Sequence, residues 1–398
     1  MLKKISVIII MLSLLVPNIY EMKVYAEKIT DNTNSQEQTH DANPPEVDVA
    51  SPAALLMDYS TGKVLFEKNS HERRPCASIT KVMTLCLIFE AIEAGKIGYD
   101  TIVTASPAAA SIGGSDIWLV EGEQMSVNDL VKAIVVVSAN DAAVAMAECL
   151  CGSEDAFVEL MNQKAKELGM KDTTFKNCNG LDEDGHLTSA YDVALMSREL
   201  MRHEDIYNYT LIWLDYIRDG ATQLVNTNKL IKSYKGITGL KTGTTSKAGA
   251  CITATAQRDE LNLIAVVLGA ENTSDRFSDA AVLLNYGFSN YSSVVPELPE
   301  DFPSETTVQR GMQTAAEINC DINRKFLIKK GEEQSIENKI IINDKIEAPL
   351  KQGDSVGKIV YSVNREIMGE FPIISNNDIS EINFKDVFKL LFISFVSF

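Results

Sequence analysis

From Ser78 the chain turns apolar almost at once: Ile79, Val82, Met83, Leu85, Cys86, Ile88 and Phe89 follow with little polar relief. That density predicts a helix starting at Ser78 and buried on most sides. Lys81 lies inside the same run, three residues on, although a lysine ordinarily keeps its ammonium in water. Upstream, two β-rich runs in AALLMDYSTGKVLFEKN flank Ser60-Thr61-Gly62 and predict a hairpin. Downstream, SVNDLVKAIVVVSANDAAVAMAECL predicts two helices broken at Ser138-Ala139-Asn140. Ser126 and Asp129 resemble a capping pair for the first, and Asn140 is placed to cap the second. GSEDAFVELMNQKAKELGM predicts a further helix from Ser153 to Gly169. GITGLKTGTT, AGACITATAQ and LNLIAVVLGA, rich in Val, Ile, Thr and Ala and divided by short turns, predict successive antiparallel strands.

The pattern changes at VPELPEDFPSE (295–305), a Pro-rich acidic joint that predicts a domain boundary. Before it lies a mixed α/β (α+β) domain over 47–294. After it, KFLIKK, NKIIIND, GKIVYSV and EFPII predict a small all-β domain over 306–378. In the tail, 379–398, Phe384, Val387, Phe388, Leu391, Phe392 and Phe395 recur at helical spacing with Lys385, Asp386 and Lys389 opposite. Its apolar stretch is too short to span a bilayer, so the expectation is an amphipathic helix lying on a membrane surface through residues 381–398. The alternative is a helix packed on the protein's own core.

At the other end, Lys3 and Lys4 precede ISVIIIMLSLLV, and VYA ends at Ala26. Residues 1–26 therefore read as a secretory signal cleaved after Ala26, the alternative being an uncleaved anchor. Residues 27–46 are polar and read as a disordered spacer. The protein is thus expected to be exported to the outer face of the cytoplasmic membrane.

A net charge of −18 leaves no basic excess to neutralise phosphates, which argues against nucleic acid as a partner. Seven cysteines, an odd number, fit a disulfide framework poorly. Cys86, Cys149, Cys151 and Cys251 lie in apolar segments and are expected as buried free thiols. Four histidines form no ligand pattern, so neither a metal nor another cofactor is expected; His186 reads as a loop residue.

A serine hydroxyl is a weak nucleophile until something removes its proton, and a lysine can do so only when neutral. Burial or a second cation must lower its pKa from ~10.4. An inward lysine one turn from Ser78 suits that chemistry and does not suit stability. S-x-x-K alone is weak evidence, because Ser60–Lys63 and Ser355–Lys358 share it in probable turns. Only one selection places a helix-start S-x-x-K (Ser78, Lys81), an interhelical S-x-N (Ser138, Asn140) and a strand-borne K-T-G (Lys241, Thr242, Gly243) in order within one predicted domain.

With these motifs the sequence resembles the D-alanyl-D-alanine carboxypeptidases among the low-molecular-mass penicillin-binding proteins, the sporulation-associated type included. The resemblance runs from about Ser51 to the C-terminus and takes in VVVSANDAAVAMAE, NCNGLDEDGHLTSAYDVALMSREL and GLKTGTTSKAGACITATA. APLKQGDSVGKIVYSVNREIMGEFPII resembles the family's C-terminal β-domain. Ala139 stands where the S-D-N motif of penicillin-binding proteins and class A β-lactamases has Asp, and Cys76 where proline is common in the family. The resemblance implies a serine β-lactamase/penicillin-binding-protein-like fold. It implies Ser78 as nucleophile, Lys81 as base, Ser138 as proton relay and Asn140 as substrate ligand steadying Lys81. Lys241 would hold Lys81 neutral by its charge and attract the substrate carboxylate. Thr242, Gly243 and Thr244 would line the binding edge, with the N–H groups of Ser78 and Thr244 as oxyanion donors. Arg276 is a further carboxylate ligand or else a surface arginine. The implied partners are peptidoglycan stem peptides ending in D-alanyl-D-alanine, and β-lactams as covalent inhibitors.

Two rival readings remain at this point. A class A β-lactamase would need an added carboxylate for deacylation, for which Asp182 and Asp184 are the available groups. A cell-wall binding protein on an inactive scaffold would have no use for all three motifs.

Overall fold

The computed structural model describes residues 47–396; the expected signal segment and spacer lie outside the described residues. The chain opens with β1 (Ala53–Asp58) and β2 (Val64–Lys68), joined by the expected hairpin turn. After a short 3-10 turn comes α1 (Lys81–Glu93). Next are β3 (Ile102–Thr104), α2 (Pro107–Ser111), β4 (Gln124–Ser126), α3 (Val127–Val136), α4 (Asn140–Cys151) and α5 (Glu154–Glu167). Then follow α6 (Ala190–Leu200), α7 (Tyr207–Thr210), β5 (Leu214–Ile217), β6 (Thr222–Val225) and α8 (Leu230–Ser233). Three long strands, β7 (Ile237–Thr245), β8 (Gly249–Arg258) and β9 (Leu261–Ala270), and α9 (Thr273–Asn290) complete this part.

The principal sheet is antiparallel with order β2-β1-β9-β8-β7, so the K-T-G strand β7 forms one edge. Side chains alternate across a strand, and here both faces are covered. In β1, Ala53, Leu55 and Met57 join the core of the helical lobe, whereas Ala54 and Leu56 join the core under α9. Helix α1 runs through the first core with Val82, Met83, Leu85, Cys86, Leu87, Ile88 and Phe89 all buried, which is why its sequence lacks a polar stripe. The capping pair behaves as expected, Ser126 Oγ accepting from the Asp129 N–H at the start of α3. Ser153 does the same for α5, accepting from the Ala156 N–H.

The C-terminal part is a five-stranded sheet of order β11-β12-β16-β15-β14, with β11 (Glu305–Thr307), β12 (Ala315–Cys320), β14 (Ile336–Ile342), β15 (Ser355–Val363) and β16 (Glu366–Ser375). It has a core of its own around Phe326, Val356, Ile359, Tyr361 and Ile373. The two parts also share backbone pairing. β10 (Tyr291–Val294), ahead of the Pro-rich joint, pairs with β13 (Phe326–Lys329) beyond it, and Tyr361 donates to the Glu297 carbonyl within the joint. Finally α10 (Phe384–Val396) leaves Phe384, Phe388 and Phe392 exposed instead of packing them on the core. No helix among the described residues is long and apolar enough to cross a membrane.

The cysteine expectation needs correction. All seven thiols are free and Cys76, Cys86, Cys178, Cys251 and Cys320 are buried, but Cys149 is exposed and Cys151 partly so. They occupy the last turn of α4, where the buried face of the helix has already ended at Ala147.

Candidate active site

Ser78 sits in the 3-10 turn Ala77–Thr80, and the α-helix proper begins at Lys81. The helix start expected at Ser78 is therefore one turn late. Just ahead of it the backbone of Ala77 takes φ +50°, a left-handed value that regular helix cannot carry. Two glycines let neighbours crowd this turn. A Cβ on Gly180 would collide with the Ala77 carbonyl, and one on Gly243 would lie 2.7 Å from the Cys76 oxygen and 2.9 Å from the Ser78 nitrogen. Only segments lacking a side chain there can approach so closely.

Lys81 is fully buried. Its Nζ lies 3.0 Å from Ser78 Oγ, 2.6 Å from Asn140 Oδ1 and 2.6 Å from the Asn179 carbonyl. Burial lowers its pKa to about 7, against the partial opposition of Cys178 and Asp141. The sequence left burial or a second cation as the cause, and the resemblance pointed to the charge of Lys241. In the structure desolvation is the leading cause at both Lys81 and Lys241.

Ser138 and Asn140 stand at the break between α3 and α4. Ser138 is left-handed at φ +67°, and its buried Oγ has no hydrogen-bond partner among the described residues. Such orphans are rare in native interiors and mark a strain or a role in reaction. Asn140 is not the cap expected from its sequence position. Ala139 holds the cap position, and the Asn140 side chain goes to Lys81 and, through Nδ2, to the Gly113 carbonyl at 2.8 Å. Asp141 beside it accepts from the Ile117 and Leu119 N–H groups and so ties the 113–119 loop to the start of α4.

Strand β7 brings the third motif across the groove. Lys241 is 1% exposed, too deep for an ordinary edge-strand charge; its Nζ donates to the Thr242 carbonyl, and burial drives its pKa well down. Thr242 Oγ1 donates to Thr227 Oγ1 at 2.7 Å. Thr244 Oγ1 donates to the Gly243 carbonyl and accepts from Arg276 at 2.8 Å. Arg276 is buried, not a surface arginine: the same nitrogen also donates to the Gly243 carbonyl at 3.0 Å, and its Nε has no partner among the described residues.

Hydrogen bonds thus join Ser78, Lys81 and Asn140, Gly243 lies against the serine turn, and Arg276 binds Gly243 and Thr244; Ser138 stands two residues before Asn140, and Lys241 and Thr242 lie in the same strand as Gly243. Sequence reasoning missed Asn179, which acts through a backbone carbonyl. It also missed Thr80 and His186, which meet at 2.8 Å behind the serine turn. Asp182 accepts from Thr245 Oγ1 at 2.6 Å, and the exposed Asp184 pairs with Lys247, so what their loop offers Lys81 is the Asn179 carbonyl and not a carboxylate.

Comparison with known proteins now decides the family. Residues 36–272 match the D-alanyl-D-alanine carboxypeptidase family, and residues 300–381 match the C-terminal domain of penicillin-binding protein 5. The chain belongs to the D-alanyl-D-alanine carboxypeptidase family. It is 40% identical to the D-alanyl-D-alanine carboxypeptidase DacF of Bacillus subtilis, over 89% of this chain and 90% of that one. Among solved structures, penicillin binding protein 5 from Haemophilus influenzae matches with TM-score 0.73 and 29% identity, over 85% of this chain and 99% of that one. The ampicillin-bound form of penicillin-binding protein D2 from Listeria monocytogenes matches with TM-score 0.56 and 32% identity, over 61% of this chain and 100% of that one. The mixed α/β catalytic fold and the all-β C-terminal domain of the carboxypeptidase family are those expected from the sequence.

Proposed function

We propose that this D-alanyl-D-alanine carboxypeptidase works through an acyl-enzyme on Ser78, and that the three contacts of Lys81 support this reading most directly. A neutral amine has two hydrogens and one lone pair. Asn140 Oδ1 and the Asn179 carbonyl can only accept, so they take the two hydrogens. The lone pair is left toward Ser78 Oγ at 3.0 Å, in reach of the hydroxyl proton. Ser78 Oγ then attacks the carbonyl of the penultimate D-alanine, and its proton passes to Lys81. Ser138, whose hydroxyl lacks a partner among the described residues, relays that proton to the departing D-alanine amine. Water completes the cycle by cleaving the ester.

The N–H groups of Ser78 and Thr244 serve as the oxyanion donors, the absence of a side chain at Gly243 bringing β7 against the serine turn. Lys241, Thr242 and Thr244 line the edge that takes the terminal carboxylate. Arg276 spends one nitrogen on Gly243 and Thr244, which favours a bracing contribution to that edge alongside its charge. The β-lactamase rival lacks support: neither candidate carboxylate hydrogen-bonds to Lys81 or Ser78. β-Lactams acylate the same serine and leave slowly.

The test is release of D-alanine from a muramyl pentapeptide together with labelling by a fluorescent penicillin. Both should vanish in Ser78→Ala; rapid penicillin turnover without D-alanine release would reverse the assignment. The substrate class favours a location outside the cytoplasmic membrane. Residues 1–26 are read as its signal, and the exposed Phe384, Phe388 and Phe392 of α10 favour a membrane-surface attachment.

A further inference from the structure

The turn that presents Ser78 is strained, and something must hold it. Ala77 is left-handed without being glycine, a conformation that persists only where surrounding contacts over-determine it. Its carbonyl accepts from Thr80 Oγ1 at 2.9 Å. Behind Thr80 stands His186, 4% exposed, reached from a separate segment of chain and used by no step of the reaction above.

The direction of each proton follows from the partners. The Lys176 N–H donates to His186 Nδ1 at 3.1 Å, so Nδ1 is bare and the ring proton sits on Nε2. Nε2–H therefore donates to Thr80 Oγ1 at 2.8 Å. With its acceptor side occupied, the Thr80 hydroxyl commits its own proton onward to the Ala77 carbonyl, the weak acceptor Cys76 Sγ lying farther off at 3.4 Å. We propose that His186 is a positioning residue for the nucleophile, fixing the left-handed turn of Ser78 through the hydroxyl of Thr80 and the carbonyl of Ala77.

Two further features agree. Burial holds the imidazole pKa down at about 4 although Glu183 and Asp182 pull it upward, so the one-way chain persists at neutral pH. The Phe175 ring meets the imidazole edge-on at 5.8 Å and closes its other side. The chain leads to the Ala77–Ser78 peptide, whose N–H is a proposed oxyanion donor, so a turn relaxed by tenths of an ångström would move donor and nucleophile together.

The proposal rests on Ser78 being the acylated residue, so the experiment reads acylation. His186→Gln keeps a donor at the distance of Nε2. His186→Asn keeps an acceptor near Nδ1 but is too short to reach Thr80. Thr80→Val removes the hydroxyl alone. The second-order rate of labelling by a fluorescent penicillin should stay within about threefold of wild type in His186→Gln and fall at least about tenfold in His186→Asn and Thr80→Val. Coupled through one hydroxyl, His186→Asn with Thr80→Val should cost no more than either alone. Thermal midpoints are read in parallel, because a merely structural histidine would lower stability without separating the Gln and Asn variants. Equal rates in Gln and Asn, or a wild-type rate in Thr80→Val, overturn the proposal; if the histidine variants do not fold, the Thr80→Val rate decides it alone. A wild type that takes no label sinks the Ser78 assignment and this proposal with it, whereas a labelled wild type with undiminished variants sinks this proposal only.

Discussion

The side-chain nitrogen of Lys81 lies 2.6 Å from the backbone carbonyl oxygen of Asn179. A carbonyl offers no proton and cannot titrate, so it orients the amine without adding a charge that would raise its pKa as a carboxylate would. Burial is then free to bring the amine to about 7.

The first prediction concerns pH. Acylation requires the neutral amine, so its rate should rise through about pH 7 and level off above. Folding stability is linked with the same sign. Between about 7 and the ordinary lysine value of 10.5 the unfolded chain holds one proton more than the folded one, so Lys81 contributes rising stability across that window and its full penalty below it. Rate–pH profiles with penicillin and denaturation at several pH values measure both, and a flat acylation profile from pH 6 to 9 would contradict the base assignment.

Much of this site was legible because its side chains sit at element starts, where a polar residue beside an apolar run stands out. Ser78, Lys81, Ser138 and Asn140 all meet that description, whereas Lys241, in the middle of β7, stood out only through its K-T-G neighbours. What stayed hidden depended on tertiary partners. The Asn179 contribution is a main-chain oxygen, which any residue type would carry. Asn140 read locally as a helix cap, and only the family resemblance pointed it at Lys81, because nothing local shows that Lys81 takes its oxygen. The two long helices around the SAN break and the three edge-to-centre strands were read correctly from periodicity. β12 went unread because AAEINC alternates small and polar residues, with only Ala316, Ile318 and Cys320 turned inward. Arg276 was left between surface and site because a single arginine in a helix gives no sign of the carbonyls it will meet.

Gly243→Ala supplies a second test. The added methyl would meet the Cys76 oxygen at 2.7 Å and the Ser78 nitrogen at 2.9 Å, both backbone atoms that cannot swing aside. Either β7 or the serine turn must retreat. We expect a stability loss of about 1–3 kcal/mol by thermal or urea unfolding. Acylation should fall by about 100-fold, since misplacing reacting groups by an ångström has that scale of effect. Wild-type acylation in this variant would mean that β7 does not supply an oxyanion donor.

The tail gives a third. Glu381 bridges to Gly311, and the Ile382 N–H donates to the Arg310 carbonyl, so these residues belong to the folded β-domain. A deletion meant to remove only the membrane contact must therefore begin after Asn383. Removing residues 384–398 should release the protein from vesicles while leaving D-alanine release within about twofold, because α10 exposes Phe384, Phe388 and Phe392 and follows the folded β-domain, not the catalytic domain. Vesicle sedimentation measures the first and a D-alanine assay the second; persistent sedimentation would transfer the attachment to the N-terminal segment.

Ser138 separates stability from activity. Its backbone is held at φ +67°, and its hydroxyl is buried without a partner among the described residues. Glycine tolerates that backbone and carries no hydroxyl, so Ser138→Gly relieves both costs at the price of a freer unfolded chain. The net should be a fold as stable as wild type or better by about 1 kcal/mol, since an unsatisfied buried hydroxyl alone costs that order. Turnover of the stem peptide should nevertheless drop by about 100-fold or more, the range lost with a proton-transfer group. Penicillin acylation should drop less than peptide turnover, because opening a strained lactam leaves its amine tethered and makes prompt protonation of the leaving group less decisive. Equal losses with both substrates would remove Ser138 from the leaving-group path, and a destabilised Ser138→Gly would show that its hydroxyl has a partner in solution.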